Sequence, residues 1–214
     1  MVGRLRITEI FHSLQGETRS VGRPATFVRL TGCPLRCHYC DTAYAFHGGE
    51  WRRIPEILEQ VRAGGNRLVV VTGGEPLAQA DVLPLMTQLC DAGHEVFLET
   101  SGALSLAGVD ARVVKVLDLK SPDSGECERN LWENLPLLNP QDQIKFVLCS
   151  RADYDWAKEV LAREALAERC EILFSPSHGT LALRDLAEWI LADHLPVRLQ
   201  IQLHKLIWGD LPGH

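Results

Sequence analysis

Short apolar runs alternate with amphipathic segments along most of this sequence, and that alternation restricts the folds available to it. The runs predict strands at residues 25–31, 67–72, 94–100, 111–120, 142–148, 171–176 and 197–204. Apolar residues spaced three and four apart predict helices at residues 54–63, 80–93, 153–169 and 181–194. Strands that alternate with helices form a parallel sheet with right-handed crossovers. Because 214 residues are too few for a complete eight-unit barrel, the sequence predicts an α/β fold, a partial (incomplete) TIM-like β/α barrel.

Polar residues collect where the predicted strands end. They occur at Thr31 and at residues 72–75, 99–102, 118–121, 175–178 and 202–205. In parallel α/β folds the loops at the carboxyl ends of the strands carry the binding and catalytic groups. We therefore expect these stretches to line one rim of the barrel.

The charge and composition exclude several classes of function. A net charge of −6 argues against broad binding to nucleic acid or to a membrane surface, which would need a basic face. No stretch approaches the roughly 20 apolar residues of a membrane span, and the amino terminus has no secretory signal. No repeat, low-complexity tract or linker divides the sequence. We expect one domain over residues 1–214, in a cytoplasmic protein whose cysteines stay reduced.

Three of the seven cysteines form a cluster with the spacing C-x3-C-x2-C, at Cys33, Cys37 and Cys40. One interpretation is a zinc-stabilised binding module without enzymatic activity, in which His38 would be a fourth ligand. The other is a four-iron cubane cluster, in which three cysteines leave one iron open for a non-protein ligand. The remaining cysteines are scattered and are expected to be core or surface thiols, at positions Cys90, Cys127, Cys149 and Cys170.

The cysteine spacing resembles that of the radical S-adenosylmethionine (SAM) superfamily. Tyr39 supplies the aromatic residue before the last cysteine, and the TGGEP sequence at 72–76 resembles the glycine-rich element of that superfamily. Glycines at such a turn allow the backbone to approach a ligand closely. The resemblance implies a partial barrel of the radical SAM type. It also implies a [4Fe–4S] cluster on the three cysteines and SAM bound to the open iron, where reduction generates a 5′-deoxyadenosyl radical.

Further motifs resemble those of the 7-carboxy-7-deazaguanine synthase family, over residues 7 to 208. They are FHSLQGET (11–18), GRPATFVRLTGCPLRCHYCDT (22–42), ETSG (99–102), LDLKSPDSGE (117–126), QIKFVL (143–148) and QIQLHKLIW (200–208). The resemblance implies conversion of 6-carboxy-5,6,7,8-tetrahydropterin to 7-carboxy-7-deazaguanine with loss of ammonia, in the pathway that leads to queuosine. It implies Mg2+ as well. The alternative within the superfamily is an activase that installs a glycyl radical on a partner protein.

The same resemblance assigns roles to individual residues. Thr42 of the C-D-T sequence would bind Mg2+ through its hydroxyl, although alone it could be a turn residue. SAM would contact residues of the cysteine loop and of later strand ends, namely Tyr39, Cys40, Asp41, Gly74, Glu75, Ser101, Lys120, Ser121, Pro122, Ser175, Pro176 and Ser177. The substrate would contact Leu14, Gln15, Gly16, Glu17, Arg29, Thr72, His204 and the carboxyl-terminal His214.

Two of these substrate residues have alternative explanations. Arg29 lies in an otherwise apolar run, and its planar guanidinium suits a carboxylate. It could instead form an ordinary ion pair, although an unpaired charge there would be costly. His204 could simply end the last strand. The region between residues 103 and 140 leaves little room for helices, so we expect an incomplete barrel, a homodimer and, from the resemblance, an electron donor such as flavodoxin.

Overall fold

The computed structural model describes residues 3–209, 211 and 213. His214 lies outside the described residues, as do residues 1, 2, 210 and 212. The described chain forms a nine-stranded sheet in the order β3-β1-β2-β4-β5-β6-β7-β8-β9. Its strands are β1 (Arg4–Leu14), β2 (Pro24–Leu30), β3 (Glu50–Arg53), β4 (Leu68–Gly73), β5 (Glu95–Thr100), β6 (Val114–Asp118), β7 (Gln143–Leu148), β8 (Glu171–Pro176) and β9 (Arg198–Leu199).

The sheet has a parallel part and an antiparallel extension. Strands β2 and β4 to β9 pair in parallel, and β1 pairs antiparallel with both β2 and β3. The two outermost strands, β3 and β9, do not pair with each other. The predicted partial barrel is therefore confirmed.

Four of the five described α-helices lie where helical spacing predicts them. The helices are α1 (Ile54–Ala63), α2 (Val82–Asp91), α3 (Arg151–Arg163), α4 (Leu183–Ala192) and α5 (Leu203–Trp208). Between β5 and β7 the chain contains only short 3-10 turns and strand β6, as the shortness of that region predicts. None of the described helices combines the length and the apolar character that a bilayer crossing requires.

The sequence-based assignment is wrong at both ends of the chain. It omits β1 and β3, although Leu5 and Ile7 are buried in strict alternation with exposed arginines. The predicted strand at 197–204 is too long, because pairing with β8 ends after Leu199. The chain then turns into α5, so His204 lies in a helix and does not end a strand.

Alternate residues of the central strands pack into two separate apolar clusters. Val69 and Val71 of β4 face the helices, while Leu68 and Val70 belong to a smaller cluster on the opposite face. The smaller cluster comprises Ala25, Phe27, Leu68, Val70, Phe97 and Val116. This two-sided burial matches a sheet covered on both faces. Phe27 and Val116 also form the apolar floor of the cavity described next.

Candidate active site

A cavity of about 480 Å³ lies at the carboxyl ends of the parallel strands. It brings together most of the residues predicted to bind ligands: Leu14, Gln15, Gly16, Glu17, Arg29, Cys33, Cys37, Tyr39, Cys40, Asp41, Thr42, Thr72, Gly74, Ser101, Lys120, Ser177 and His204. Five others do not line it, namely Glu75, Ser121, Pro122, Ser175 and Pro176. Every predicted stretch after Thr31 contributes at least one lining residue, so the shared rim is confirmed.

The three clustered cysteines face this cavity as free thiols. Each is partly buried, and none forms a disulfide. Burial raises the pKa of all three, to about 11 for Cys37, while the positive charge of Lys120 opposes the rise. Backbone N–H groups of Leu35 and Thr42 hydrogen-bond the sulfurs of Cys33 and Cys40, which favours thiolates.

This donor set fits an iron–sulfur cluster, because thiolates are its protein ligands and each of three cysteines would bind a different iron. Among the described residues, no three histidine, cysteine or carboxylate side chains are arranged to hold one single metal ion.

Hydrogen bonds join the turn after β4 to the start of the cysteine loop. Gly74 donates to the Leu30 carbonyl oxygen at 3.1 Å, and the Glu75 amide donates to Gly32 at 2.8 Å. A Cβ at Gly74 would lie 2.2 Å from the Gly32 carbonyl oxygen and 3.0 Å from Cys33 Cβ. Only glycine permits that approach, so the TGGEP turn and the cysteine loop form one surface of the cavity.

Glu75 lies behind that surface and is fully buried. Its carboxylate accepts hydrogen bonds from the Thr100 hydroxyl (2.9 and 3.0 Å) and from the Ser101 amide and hydroxyl (2.7 and 2.5 Å). The Leu77 amide also donates to it at 3.0 Å. Glu75 thus fixes the end of β5 against the TGGEP turn. Its assignment as a direct SAM ligand stays a prediction.

Tyr39 presents an unpaired hydroxyl. The group is buried and has no hydrogen-bond partner among residues 3–209, 211 and 213. Burial raises the pKa of Tyr39, and the negative charge of Asp118 adds to the rise. The Lys120 ammonium lies 5.6 Å from the centre of its ring. A buried phenol without a partner is suited to donate to a bound ligand.

A row of alternating charges crosses the cavity. Lys145 Nζ lies 2.7 Å from Glu17 and 3.5 Å from Asp118, whose carboxylate also pairs with Lys120 at 3.1 Å. Burial lowers the pKa of Lys120 and Lys145, but the neighbouring negative charges outweigh it and raise both pKa values. Both lysines are therefore ammonium ions at neutral pH.

Several lining residues were not among the predicted ligands. They are chiefly Glu99, Asp118, Lys145, Gln202 and Lys205. Lys145 carries a usable signal, because it is a charged residue inside the apolar run QIKFVL, as Arg29 is inside FVRLT. Lys145 could therefore be predicted as a site residue in the same way as Arg29.

Arg29 is paired as well as exposed to the cavity. Its Nε donates to Glu9 at 2.7 Å, and the Tyr44 hydroxyl donates to the same carboxylate oxygen at 2.8 Å. The guanidinium lies 5.5 Å from the centre of the Phe11 ring. The ion pair considered from the sequence therefore forms, and Glu9 fixes the direction in which the guanidinium points.

The loop after β1 and the helix α5 close the cavity from the side. Leu203 donates its amide to the Gly16 carbonyl oxygen at 2.9 Å. A Cβ at Gly16 would lie 2.1 Å from His204 Nδ1, so a side chain here would displace the imidazole of His204. Gln202 donates to Glu17 at 3.0 Å and to Asp41 at 3.3 Å. Residues far apart in sequence thus form one wall.

Thr42 and Asp41 supply neighbouring oxygen atoms. The Thr42 hydroxyl donates to Asp41 Oδ1 at 2.7 Å. Desolvation raises the pKa of Asp41, but the Thr42 hydrogen bond and the positive charge of Lys145 outweigh it and lower the pKa. The carboxylate is therefore ionised at neutral pH, and an ionised carboxylate is a suitable oxygen ligand for a hard cation.

Comparison with known proteins defines first the class of enzyme. The Radical SAM superfamily profile matches residues 27–119, which include all three clustered cysteines and the TGGEP turn. The fold resembles that of Streptococcus suis SuiB bound to S-adenosylmethionine, with a TM-score of 0.59 at 16% identity, over 83% of this chain and 50% of that one. The fold is that of a radical SAM enzyme.

Longer matches then define the family. A 7-carboxy-7-deazaguanine synthase of Chlorobaculum tepidum is 47% identical over 96% of this chain and 94% of its own length. One from Koribacter versatilis is 44% identical over 95% and 97%. The crystal structure of QueE from Escherichia coli matches with a TM-score of 0.78 and 27% identity, over 94% of this chain and 95% of that one. This chain belongs to the 7-carboxy-7-deazaguanine synthase family, and the non-enzymatic zinc module is contradicted.

Proposed function

We propose that this chain converts 6-carboxy-5,6,7,8-tetrahydropterin to 7-carboxy-7-deazaguanine with loss of ammonia, in queuosine biosynthesis. The observation that carries the proposal is the sharing of one cavity by the three cysteines and the loop at residues 14–17. Its volume of about 480 Å³ lies in the range of small-molecule sites. Relatives across nearly the whole chain carry the same enzyme name.

Cys33, Cys37 and Cys40 would hold the cluster, and the neighbouring rim would hold SAM. When bound, the cluster and SAM together supply a radical able to remove a hydrogen atom from the substrate. Tyr39, Gly74 and Ser101 line the cavity beside the cysteines and would orient SAM. The apolar floor and the closing α5 wall would keep water away from the reacting atoms.

The substrate side of the cavity offers both hydrogen-bond donors and acceptors. An aminopyrimidinone edge carries adjacent N–H groups. A carboxylate such as that of Glu17 or Glu99 can accept hydrogen bonds from them. Glu99 is oriented for this by hydrogen bonds from Thr72 at 2.9 Å and Gln15 at 3.1 Å. Arg29, held by Glu9, would bind the substrate carboxylate through its remaining N–H groups.

Magnesium would bind at Thr42 with the substrate carboxylate and water. Magnesium keeps several waters and uses few protein oxygens, so the hydroxyl of Thr42 with the ionised Asp41 nearby is a sufficient donor set. Lys145, held as an ammonium between Glu17 and Asp118, would balance the negative charge of the site and fix the position of Glu17.

The domain organisation, location and partners proposed here are those predicted from the sequence. We propose one domain over residues 1–214, in a cytoplasmic enzyme that contacts neither nucleic acid nor membranes. A second copy of the chain would cover the open sheet edges and form a homodimer. An electron donor such as flavodoxin would reduce the cluster. A contact of His214 with the substrate stays a prediction from the sequence.

The test is turnover by anaerobically reconstituted protein with SAM, reductant, Mg2+ and the carboxytetrahydropterin. We expect the deazaguanine chromophore and one equivalent of ammonia per product, with neither formed by the Cys37→Ala variant. SAM cleavage without ammonia release would contradict the proposed reaction and favour a glycyl-radical activase. No contact in the described chain favours that alternative now.

A further inference from the structure

We propose that the segment at residues 121–126, called here the brace, holds the cysteine loop in its cluster-binding shape before iron arrives. Glu126 is the positioning residue of the brace. This inference rests on the cluster-binding part of the proposed function and is independent of the identity of the substrate. The loop concerned contains residues 33–40.

The brace holds the residues on both sides of the middle cysteine. Glu126 Oε1 accepts a 2.6 Å hydrogen bond from the backbone N–H of Arg36, which precedes Cys37. The backbone N–H of His38, which follows Cys37, donates to the Ser124 carbonyl oxygen at 3.0 Å. One neighbouring segment therefore binds the peptide group between Cys37 and His38 and the peptide group between Leu35 and Arg36. Together these two contacts restrict the direction of the Cys37 side chain.

Further contacts make this attachment close. His38 Nδ1 lies 3.2 Å from the carbonyl oxygen of Asp123. Gly125 has a φ of 76°, and a Cβ there would lie 2.9 Å from the His38 ring. Glycine at this position therefore lets the imidazole lie directly against the brace.

The side chain of Arg36 closes the other half of the loop. Its Nη1 donates to the carbonyl oxygens of Cys33 at 2.8 Å and Leu35 at 2.6 Å. Its guanidinium lies 4.2 Å from the centre of the Phe46 ring. Arg36 thus connects the first cysteine to the brace, because its side chain binds Cys33 and its backbone N–H binds Glu126.

The brace is itself anchored to the protein interior. Asp153 of α3 is fully buried and accepts hydrogen bonds from the Asp123 amide at 2.9 Å and the Ser121 hydroxyl at 3.0 Å. The Cys149 amide donates to the same carboxylate at 2.9 Å. The cysteine loop therefore connects through two shells of hydrogen bonds to β7 and α3, which belong to the main core.

Without such support an irregular loop with three partly buried thiols would sample many shapes. The cysteine loop would then have to become ordered while the cluster assembles. A carboxylate that accepts a backbone N–H forms a strong, charge-assisted hydrogen bond. Loss of Glu126 should therefore loosen the loop in the iron-free protein and slow its loading.

The experiment compares wild type, Glu126→Ala, Glu126→Gln and Glu128→Ala in the full-length chain. Glu128 is an exposed glutamate of the next turn, with no hydrogen bond or ion pair in the described chain, and serves as the matched control. Hydrogen exchange of residues 33–40 is measured on iron-free protein. The rate of iron and sulfide incorporation is measured during anaerobic reconstitution, and Tm is recorded for each variant.

In the Glu126→Ala variant, we expect the Arg36 amide hydrogen to exchange about tenfold faster than in wild type. The variant should also incorporate iron more slowly, while its Tm stays close to that of wild type. Glu126→Gln should recover both properties, because its amide oxygen still accepts the Arg36 N–H. Wild-type exchange and loading in Glu126→Ala would overturn the inference, as would equal effects in Glu128→Ala. None of these measurements uses the substrate, so failure of the proposed reaction would leave them unchanged.

Discussion

Lys145 on β7 donates a 2.7 Å hydrogen bond to Glu17 in the loop after β1, across 128 residues of sequence. This pair joins the last third of the parallel sheet to the predicted substrate loop. Gln202 donates to the other oxygen of Glu17 at 3.0 Å, so the carboxylate is held from two sides. The position of the substrate loop therefore depends on a strand that supplies none of the predicted ligands.

Replacing Lys145 with Met should raise the KM for the carboxytetrahydropterin by at least about tenfold, because losing one partner of a desolvated charge pair costs roughly 2–5 kcal/mol. Steady-state release of ammonia measures the effect. Lys158→Met is the control, since Lys158 pairs with Asp193 at 2.8 Å on the protein surface. An unchanged KM in the Lys145 variant would show that the pair does not support substrate binding.

Replacing Arg29 with Ala should raise the substrate KM by a similar factor and leave SAM cleavage without substrate intact. The reason is that the guanidinium would bind the substrate carboxylate and not SAM. Arg52→Ala is a matched control, because Arg52 pairs with the exposed Glu50. If Arg29→Ala kept a normal KM, its role would be confined to the pair with Glu9.

Replacing Thr42 with Ala should shift the Mg2+ dependence of turnover to higher concentration. The hydroxyl is the only side-chain oxygen of Thr42, and Mg2+ requires oxygen ligands. Titration of activity with Mg2+ measures the shift, and Thr42→Ser, which keeps the hydroxyl, should restore it. Identical titrations for wild type and Thr42→Ala would remove this residue from the metal site.

The buried Cys170 provides a pH-dependent prediction. Burial raises the pKa of its thiol to about 12, and the negative charge of Asp142 adds to the rise. Since the thiolate is the reactive form, iodoacetamide should label the half-buried Cys127 before Cys170 between pH 8 and pH 10. Peptide mass spectrometry measures both, with guanidinium-unfolded protein as the reference.

The same raised pKa has a consequence for stability. The folded state favours the neutral thiol. The contribution of Cys170 to the free energy of unfolding is therefore fully present below the ordinary thiol pKa near 9. It is lost as the pH rises from there toward 12. Equal labelling rates for Cys127 and Cys170 in native protein would contradict the burial assigned to Cys170.

Patterns that depend on local spacing could be predicted from the sequence. The continuous apolar run of β4 indicates a strand buried on both faces, and Val69 and Val70 do belong to opposite clusters. The sequence predicts that the cysteine loop and the TGGEP turn lie on one rim, and a hydrogen bond from the Glu75 amide to the Gly32 carbonyl oxygen joins them. These features are set by residues close in sequence or by consecutive strands.

Contacts made between distant segments could not be predicted in the same way. The end of β9 depends on where β8 stops offering partners, and α5 begins where Leu203 meets Gly16. Glu75 is predicted to contact SAM, and that stays a prediction, but the sequence does not indicate that its carboxylate accepts hydrogen bonds from Thr100 and Ser101 behind the surface. Neither the turn of the chain at 200–203 nor the direction of Glu75 leaves a periodic signal.

The most direct test of the account is electron paramagnetic resonance of the anaerobically reconstituted, reduced protein with and without SAM. We expect the signal of a [4Fe–4S]+ cluster on three cysteines, and a change in that signal when SAM binds the open iron. Absence of a cubane signal, or a signal that SAM leaves unchanged, would contradict it.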